Sequence, residues 1–183
     1  WRGRRGIAVA LTAVAAVGVA ARMLDATPTP PRSDRPVWGF LTPWDETSIL
    51  SFTAHASQMS VVVPASLNLT SRGTAAGTVG PDLVTFAHAQ GVKVDPLITN
   101  DVGGWDAARV HRAIGTRAAA TRLATTLSRR AARNGWDGIN VDFEQIAARD
   151  GANLPRFVAV LKSSLGPGRT VSIDVPAGPS AAY

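Results

Sequence analysis

The sequence lacks cysteine altogether and contains only three histidines among its 183 residues. Without cysteine, the chain cannot form disulfide bonds, thiolate nucleophiles or zinc sites built on thiolates. The histidines (His55, His88 and His111) are far apart, and none has a second metal-binding residue at the spacing of a helical turn. We therefore expect neither a bound metal ion nor thiol chemistry.

The chain also lacks a basic face, although its formal net charge is +6. Six arginines and only two aspartates lie in residues 1–35, whereas the remainder holds 13 basic and 11 acidic residues. The excess charge therefore belongs to the N-terminal segment. No stretch interleaves basic and aromatic residues as single-strand binders do. We expect no nucleic-acid partner.

The N-terminal segment has the pattern of an export signal or a membrane anchor, which we assign to residues 1–25. Three of its first six residues are arginine. Residues 7–21 form an apolar run that is shorter than the roughly 20 residues of a usual membrane span. Positive charge ahead of the run keeps the N-terminus inside, so we expect the rest of the chain to be exported, either membrane-anchored or secreted. Residues 26–36 contain four prolines and predict an extended linker.

From residue 37 onwards, short apolar runs alternate with helical patterns. The predicted strands are 37–42, 61–63 (ended by Pro64), 92–98, 137–144 and 171–175. The predicted helices are 48–59 (capped by Thr47 or Ser48), 81–90, 107–114, 117–133 and 154–165, with a loop at 71–80. This alternation predicts an α/β fold whose parallel sheet is covered on both faces.

The architecture within the α/β class follows from the first loop. Residues 42–45 (TPWD) contain no glycine-rich turn that could cradle a phosphate, as an open doubly wound sheet usually has. A barrel with acids at the carboxyl ends of its strands fits better. We expect residues 37–183 to form a partial (β/α)8 TIM barrel with about five of the eight strands.

The segment 137–144 (DGINVDFE) combines apolar and acidic residues in alternation. As a strand, it places three apolar side chains on one face and Asn140, Asp142 and Glu144 on the other. A strand half exposed to water would explain this pattern alone. In a parallel sheet, however, the second face points towards helices or the barrel interior. Clustered carboxyls there repel one another, which raises the pKa of at least one of them.

This segment resembles the DxxDxDxE signature of glycoside hydrolase family 18, the chitinase family. The likeness is greatest to bacterial spore-cortex-lytic N-acetylglucosaminidases and to the exported hydrolase-like domain of envelope polysaccharide synthase fusions. In these, the second acid of the signature is often asparagine, as at Asn140. The stretches 39–45 (GFLTPWD) and 135–138 (GWDG) are similar to the same proteins, and the resemblance covers about residues 37–176.

The resemblance implies a glycosidase that acts on β-linked N-acetylglucosamine polysaccharide and needs no metal or organic cofactor. Glu144 would be the general acid that protonates the glycosidic oxygen. The nucleophile would be the acetamido oxygen of the sugar itself, which Asp142 would orient and whose developing positive charge it would stabilise. Asn140 would hydrogen-bond Asp142 without sharing a proton with it, and Asp137 would support the cluster.

Aromatic and polar residues in the loops are candidates for contacts with the sugar. The resemblance implies such contacts for Trp44 with Asp45 in the first loop, and for Asn100 with Asp101 after the third strand. For Trp44, packing as a lid over the domain is an equal alternative.

Three other tryptophans, Trp38, Trp105 and Trp136, are assigned to packing inside the domain.

Two departures separate the sequence from the family pattern. Relatives carry a glutamate after the proline of the second strand, where this chain has Pro64-Ala65. Five strands do not close an eight-stranded barrel, and the family's tyrosine that contacts the acetamido group would lie beyond Tyr183. We therefore expect an N-terminal part of a barrel, incompletely folded or inactive alone, with an exposed sheet edge.

Two other functions stay open at this point. The domain could bind carbohydrate or act as a scaffold, without turnover, in a membrane-anchored polysaccharide synthase or deacetylase fusion. A deacetylase reading is weaker, because it needs histidine and aspartate metal ligands that segment 137–144 does not supply.

Overall fold

The computed structural model describes residues 35–175. The predicted leader and most of the predicted linker lie outside these residues. Between residues 35 and 175, no helix combines the length and the apolar character needed to cross a membrane.

Within this range the chain forms seven strands and five helices. The strands are β1 (Trp38–Leu41), β2 (Val61–Leu69), β3 (Ala75–Gly77), β4 (Lys93–Val94), β5 (Leu97–Thr99), β6 (Gly138–Asp142) and β7 (Thr170–Ile173). The helices are α1 (Glu46–His55), α2 (Pro81–Ala89), α3 (Ala107–Ile114), α4 (Arg117–Asn134) and α5 (Asn153–Leu165). Single 3₁₀ turns lie at Ala56–Gln58 and Ala148–Asp150.

The sheet has the order β1-β2-β5-β6-β7, and each of these neighbouring pairs is parallel. The predicted α/β class with a parallel sheet is therefore confirmed. The order of the strands in the sheet follows their order in the chain, so the order does not reverse as it does in a doubly wound sheet. This is the order expected for part of a barrel. In the described residues, β1 and β7 form the two ends of the path, so each has one free edge.

Two strand predictions were wrong in their limits. The second strand does not end at Pro64, which pairs in register with Leu41, but continues to Leu69 and pairs there with β3. The predicted loop at 71–80 therefore contains a short strand. Proline is tolerated in β2 next to an irregularity of the ladder between Ala65 and Leu67. The third predicted strand is divided into β4 and β5.

The helices follow the predicted pattern closely. Gly135 ends α4 in a left-handed conformation (φ 69°), which glycine adopts without the steric cost of a side chain. The cap of α1 was predicted wrongly as Thr47 or Ser48. Asp45 caps this helix, since its side chain accepts a hydrogen bond from the Thr47 backbone N–H.

The parallel sheet separates two environments. On the helix-covered face, Phe143 is fully buried and stacks on Phe157 of α5, with ring centroids 5.9 Å apart. On the opposite, inner face, Val61, Val63 and Leu97 form a second, smaller apolar cluster. Asn140 and Asp142 alternate with the buried apolar residues of β6 and therefore face the inner side.

A buried carboxyl lies near the amino end of this inner face. Asp95 is fully buried, and the Thr170 hydroxyl donates to its Oδ2. Burial raises the pKa of Asp95 to about 6, although the hydrogen bond from Thr170 opposes the shift. Gly138 of β6 lies beside both groups, where a side chain has no room.

This crowding gives the first prediction. In Gly138→Ala, the new Cβ would lie 2.6 Å from Asp95 Oδ2, so we expect the free energy of unfolding to fall by about 1–3 kcal/mol. Gly80→Ala is the control, because a Cβ there meets no atom within 4 Å, and its change should stay within about 0.5 kcal/mol. Denaturant unfolding measures both. Equal stabilities of the two variants would contradict this packing.

Candidate active site

The carboxyl ends of the parallel strands bring three acidic side chains to one edge of the sheet. Asp142 ends β6, Glu144 follows it by two residues, and Asp174 comes directly after β7. Val141 pairs with Ile173, and the Asp174 N–H donates to the Val141 carbonyl at 3.0 Å. This ladder places Asp174 beside Asp142 on the inner face.

Asp142 lies between polar groups of both neighbouring strands. Thr99 of β5 is its register partner and hydrogen-bonds its carboxylate. Burial raises the pKa of Asp142 to about 6, and the charges of Asp174, Glu144 and Asp101 add to the shift, whereas the Thr99 bond opposes it. The sequence analysis expected a raised pKa for at least one carboxyl of the cluster, and Asp142 has it.

Asn140 contacts the neighbouring strand and not Asp142. Its side chain is 1% exposed, and its Nδ2 donates to Ser172 Oγ at 3.0 Å and to Asp174 Oδ1 at 3.1 Å. The expected hydrogen bond to Asp142 was therefore wrong. Residues two apart on a strand lie roughly 6.6 Å apart along it, whereas Ser172 is the register partner of Asn140.

Asn100 holds the backbone at Glu144. Its side chain is fully buried; Oδ1 accepts from the Glu144 N–H and Nδ2 donates to the Glu144 carbonyl, both at 2.9 Å. Contact of Asn100 with the sugar stays a prediction, although both the oxygen and the nitrogen of its buried amide already hydrogen-bond the Glu144 backbone. Asn100 fixes the position from which the Glu144 side chain projects.

The other two predicted polar contacts have local roles. The Asp101 carboxylate accepts from the N–H groups of Gly103 and Gly104 and so closes a turn. The Asp45 carboxylate is the cap of α1, and its hydrogen bonds with Thr47 lower its pKa. Both side chains are exposed at the carboxyl end of the sheet, where sugar binding by them remains a prediction.

The four tryptophans of the described residues differ in how far they are buried. Trp136 is buried as predicted, with the Arg130 guanidinium 5.5 Å from its ring centroid. Trp38 and Trp105 are each 37% exposed, so they are only partly covered by the rest of the domain. Trp44, in the loop between β1 and α1, is 76% exposed, which disfavours a packed lid.

The structure does not bring Asp137 together with the other predicted site residues of the segment 137–144. This aspartate precedes β6, and its Oδ2 accepts from the Val94 N–H at 2.9 Å and contacts His88 Nε2 at 2.8 Å. Five residues of extended strand separate it from Asp142, a distance of about 16 Å. Asp137 therefore stabilises the amino end of the sheet.

Asp174, Ser172 and Thr99 were not predicted as site residues. The alternation of Ser172 and Asp174 in the fifth predicted strand repeats the pattern of segment 137–144 and is the signal that indicates these two. In residues 35–175, no three histidine, aspartate or glutamate side chains are grouped so as to hold a metal ion.

Solved structures of similar shape place this site in context. A chitinase from Chromobacterium violaceum has a TM-score of 0.71 and 24% identity, with 79% of this chain and 47% of that one aligned. A class V chitinase from Pseudomonas fluorescens has a TM-score of 0.71 and 25% identity over 77% of this chain and 44% of that one. The Bacillus cereus spore cortex-lytic enzyme SleL has a TM-score of 0.69 and 20% identity over 75% and 34%.

The chain has a chitinase-like fold. It spans between a third and a half of the length of these three proteins. No protein-family model matches the sequence, and comparison with curated proteins finds no match. The chitinase-like fold agrees with the predicted partial barrel.

The second prediction tests the contact between Asn100 and the Glu144 backbone. Asn100→Ala removes both side-chain partners of the part-buried Glu144 backbone, so the free energy of unfolding should fall by about 1–3 kcal/mol. Amide hydrogen exchange at Glu144 should accelerate as well. The control is Asn134→Ala, whose exposed amide bonds only the Arg130 carbonyl and whose loss should cost less than about 0.5 kcal/mol. Unchanged exchange at Glu144 would rule out the contact.

Proposed function

We propose that the chain is part of a glycosidase that hydrolyses β-linked N-acetylglucosamine polysaccharide, such as peptidoglycan or chitin-like polymers. The observation that carries the proposal is the carboxyl cluster: Asp142, Glu144 and Asp174 share one edge of a chitinase-like fold. The similar structures are those of two chitinases and a spore cortex-lytic enzyme, which supports this substrate class.

The proposed reaction is substrate-assisted and retaining. Glu144 gives its proton to the glycosidic oxygen while the bond from that oxygen to the sugar carbon breaks. The acetamido oxygen of the same sugar forms a bond to this carbon, and Asp142 accepts a hydrogen bond from the acetamido N–H. Water then opens the oxazolinium ion, and Glu144 takes the proton from that water.

The structure supports the division of these roles in two respects. Asn100 fixes the Glu144 backbone, and a fixed acid has a defined direction for proton transfer. The partly buried Asp142 lies where its charge is poorly screened by water, so an ionised Asp142 stabilises a nearby cation strongly.

We also propose that the domain acts outside the cytoplasm. Peptidoglycan and chitin-like polymers lie there, and the leader predicted for residues 1–25 would export the chain or anchor it to the membrane. A fusion with envelope polysaccharide synthase or deacetylase domains fits the same location.

A carbohydrate-binding or scaffold domain without turnover is the second candidate. The exposed indole of Trp44 favours it, because an aromatic face can bind a sugar ring without any acid. The two functions differ in whether Glu144 is needed for chemistry.

The third prediction separates these functions with Glu144→Gln in the full-length protein. Removal of the acid should lower kcat on N-acetylglucosamine oligomers by about a hundredfold to ten-thousandfold, while oligomer binding survives in calorimetry. Asp137→Asn is the matched control, since it changes an acid of the same segment at the opposite end of β6 and should retain activity. Binding without hydrolysis by the unaltered protein would support the second candidate, and full activity of Glu144→Gln would refute the mechanism.

The fourth prediction concerns Trp44 as a sugar platform. Trp44→Ala should raise KM for oligomers about three- to tenfold with little change in kcat, because stacking acts on bound substrate as well as on the transition state. Trp44→Phe keeps an aromatic face and should retain most of the affinity. Steady-state kinetics measures both, and an unchanged KM in Trp44→Ala would exclude the platform.

A further inference from the structure

Asp174 is the acidic residue of the cluster that lies outside segment 137–144. It follows β7, and its backbone N–H continues the β6–β7 ladder by donating to the Val141 carbonyl. Its Oδ1 accepts from Asn140 Nδ2 at 3.1 Å, and the same nitrogen donates to Ser172 Oγ. The position of the Asp174 carboxylate is thus fixed by a side chain that is almost completely buried.

The identity of residue 140 matches this arrangement. A carboxylate such as Asp174 only accepts hydrogen bonds, so the group facing it must donate. The Asn140 amide supplies that donor, whereas an aspartate at 140 would place a further buried carboxylate against Asp174. Asn140 and Asp174 therefore form a complementary pair across β6 and β7.

The same register brings Asp174 to Asp142. The pairs Asn140 with Ser172 and Val141 with Ile173 place the next position of each strand, Asp142 and Asp174, side by side. Adjacent strands lie about 4.8 Å apart, so the two carboxyl groups are neighbours on the inner face. The following inference rests on the proposed hydrolysis, in which the proximity of Asp174 to Asp142 gives Asp174 a role.

We propose that Asp174 is a positioning residue that acts through Asp142: its charge, held by Asn140, confines the ionised form of Asp142, and with it the proposed hydrolysis, to near-neutral and alkaline pH. Asp142 must be ionised to accept the acetamido N–H and to stabilise the cation. Burial opposes this ionisation most, and a negative neighbour adds to its effect, so Asp174 raises the pH below which the site fails.

The charged groups that face Asp142 come from three elements. Asp174 follows β7, Glu144 follows β6, and Asp101 follows β5, while Thr99 contributes a hydrogen bond. After burial, the charge of Asp174 is the largest contribution to the raised pKa of Asp142, ahead of Glu144 and Asp101. Neutralising Asp174 therefore lowers the pKa of Asp142, and the acid limb of kcat/KM should move to lower pH.

The fifth prediction is tested first by a titration that needs no turnover. In full-length protein with ¹³C-labelled aspartate carboxyls, NMR should show the Asp142 pKa falling in Asp174→Asn. Asparagine at 174 still accepts from Asn140, so the strand pairing is retained. Asp101→Asn is the matched control, with a smaller shift in the same direction. An Asp142 pKa unchanged in Asp174→Asn, or shifted more by Asp101→Asn, would overturn the proposal.

Activity on N-acetylglucosamine oligomers is the second measurement. Asp174→Asn should move the acid limb of kcat/KM to lower pH, an effect that mere loss of structure does not produce. Asn140→Asp alone should lower kcat/KM about tenfold or more, and the exchange Asn140→Asp with Asp174→Asn should restore most of it, since the two positions are coupled. A double variant no better than Asn140→Asp would contradict the pairing.

The two measurements also separate this inference from the proposed function. Absence of hydrolysis by the unaltered protein refutes the glycosidase, while the carboxyl titration still decides whether Asp174 governs Asp142. Hydrolysis that depends on Glu144, with an acid limb unaffected by Asp174→Asn, keeps the glycosidase and overturns the role of Asp174.

Discussion

The need to satisfy buried polar groups on the inner face of β6 governs the arrangement of this site. An unpaired buried polar group costs about 1–3 kcal/mol, and among the described side chains of this face only Asn140 Oδ1 and Asp95 Oδ1 are buried without a partner. The neighbouring strands provide partners: Thr99 bonds Asp142 from β5, and Ser172 bonds Asn140 from β7. The site therefore depends on both neighbours lying in the correct register with β6.

The outer face of β6 packs into the core, and its inner face carries the residues of the candidate site. The outer side chains (Ile139, Val141 and Phe143) are completely buried against the helices, and each such burial contributes about 1.5–3 kcal/mol. This fixed outer face gives the inner face a rigid support. Asp142 can consequently keep a raised pKa, because the strand cannot easily move to give its carboxyl more water.

The sequence predicted what local periodicity determines. The parallel α/β class, α2 to α5 and the alternation in β6 were predicted because apolar spacing and caps lie within each segment. Contacts between segments could not be predicted in this way. Asn140 bonds Asp174, 34 residues away in the chain, and Asn100 bonds the Glu144 backbone, 44 residues away. Both bonds depend on the register between strands.

The position of Asp137, apart from Asp142 and Glu144, also depends on more than the local sequence pattern. The eight residues 137–144 form one continuous signature in the sequence. In an extended strand, however, Asp137 lies about 16 Å from Asp142. Asp137 ties β6 to the Val94 N–H and to His88 at the amino end. One short motif thus holds a structural acid at one end of a strand and the proposed catalytic acids at the other. Position along the strand, more than membership of the motif, decides which acid lies at the candidate site.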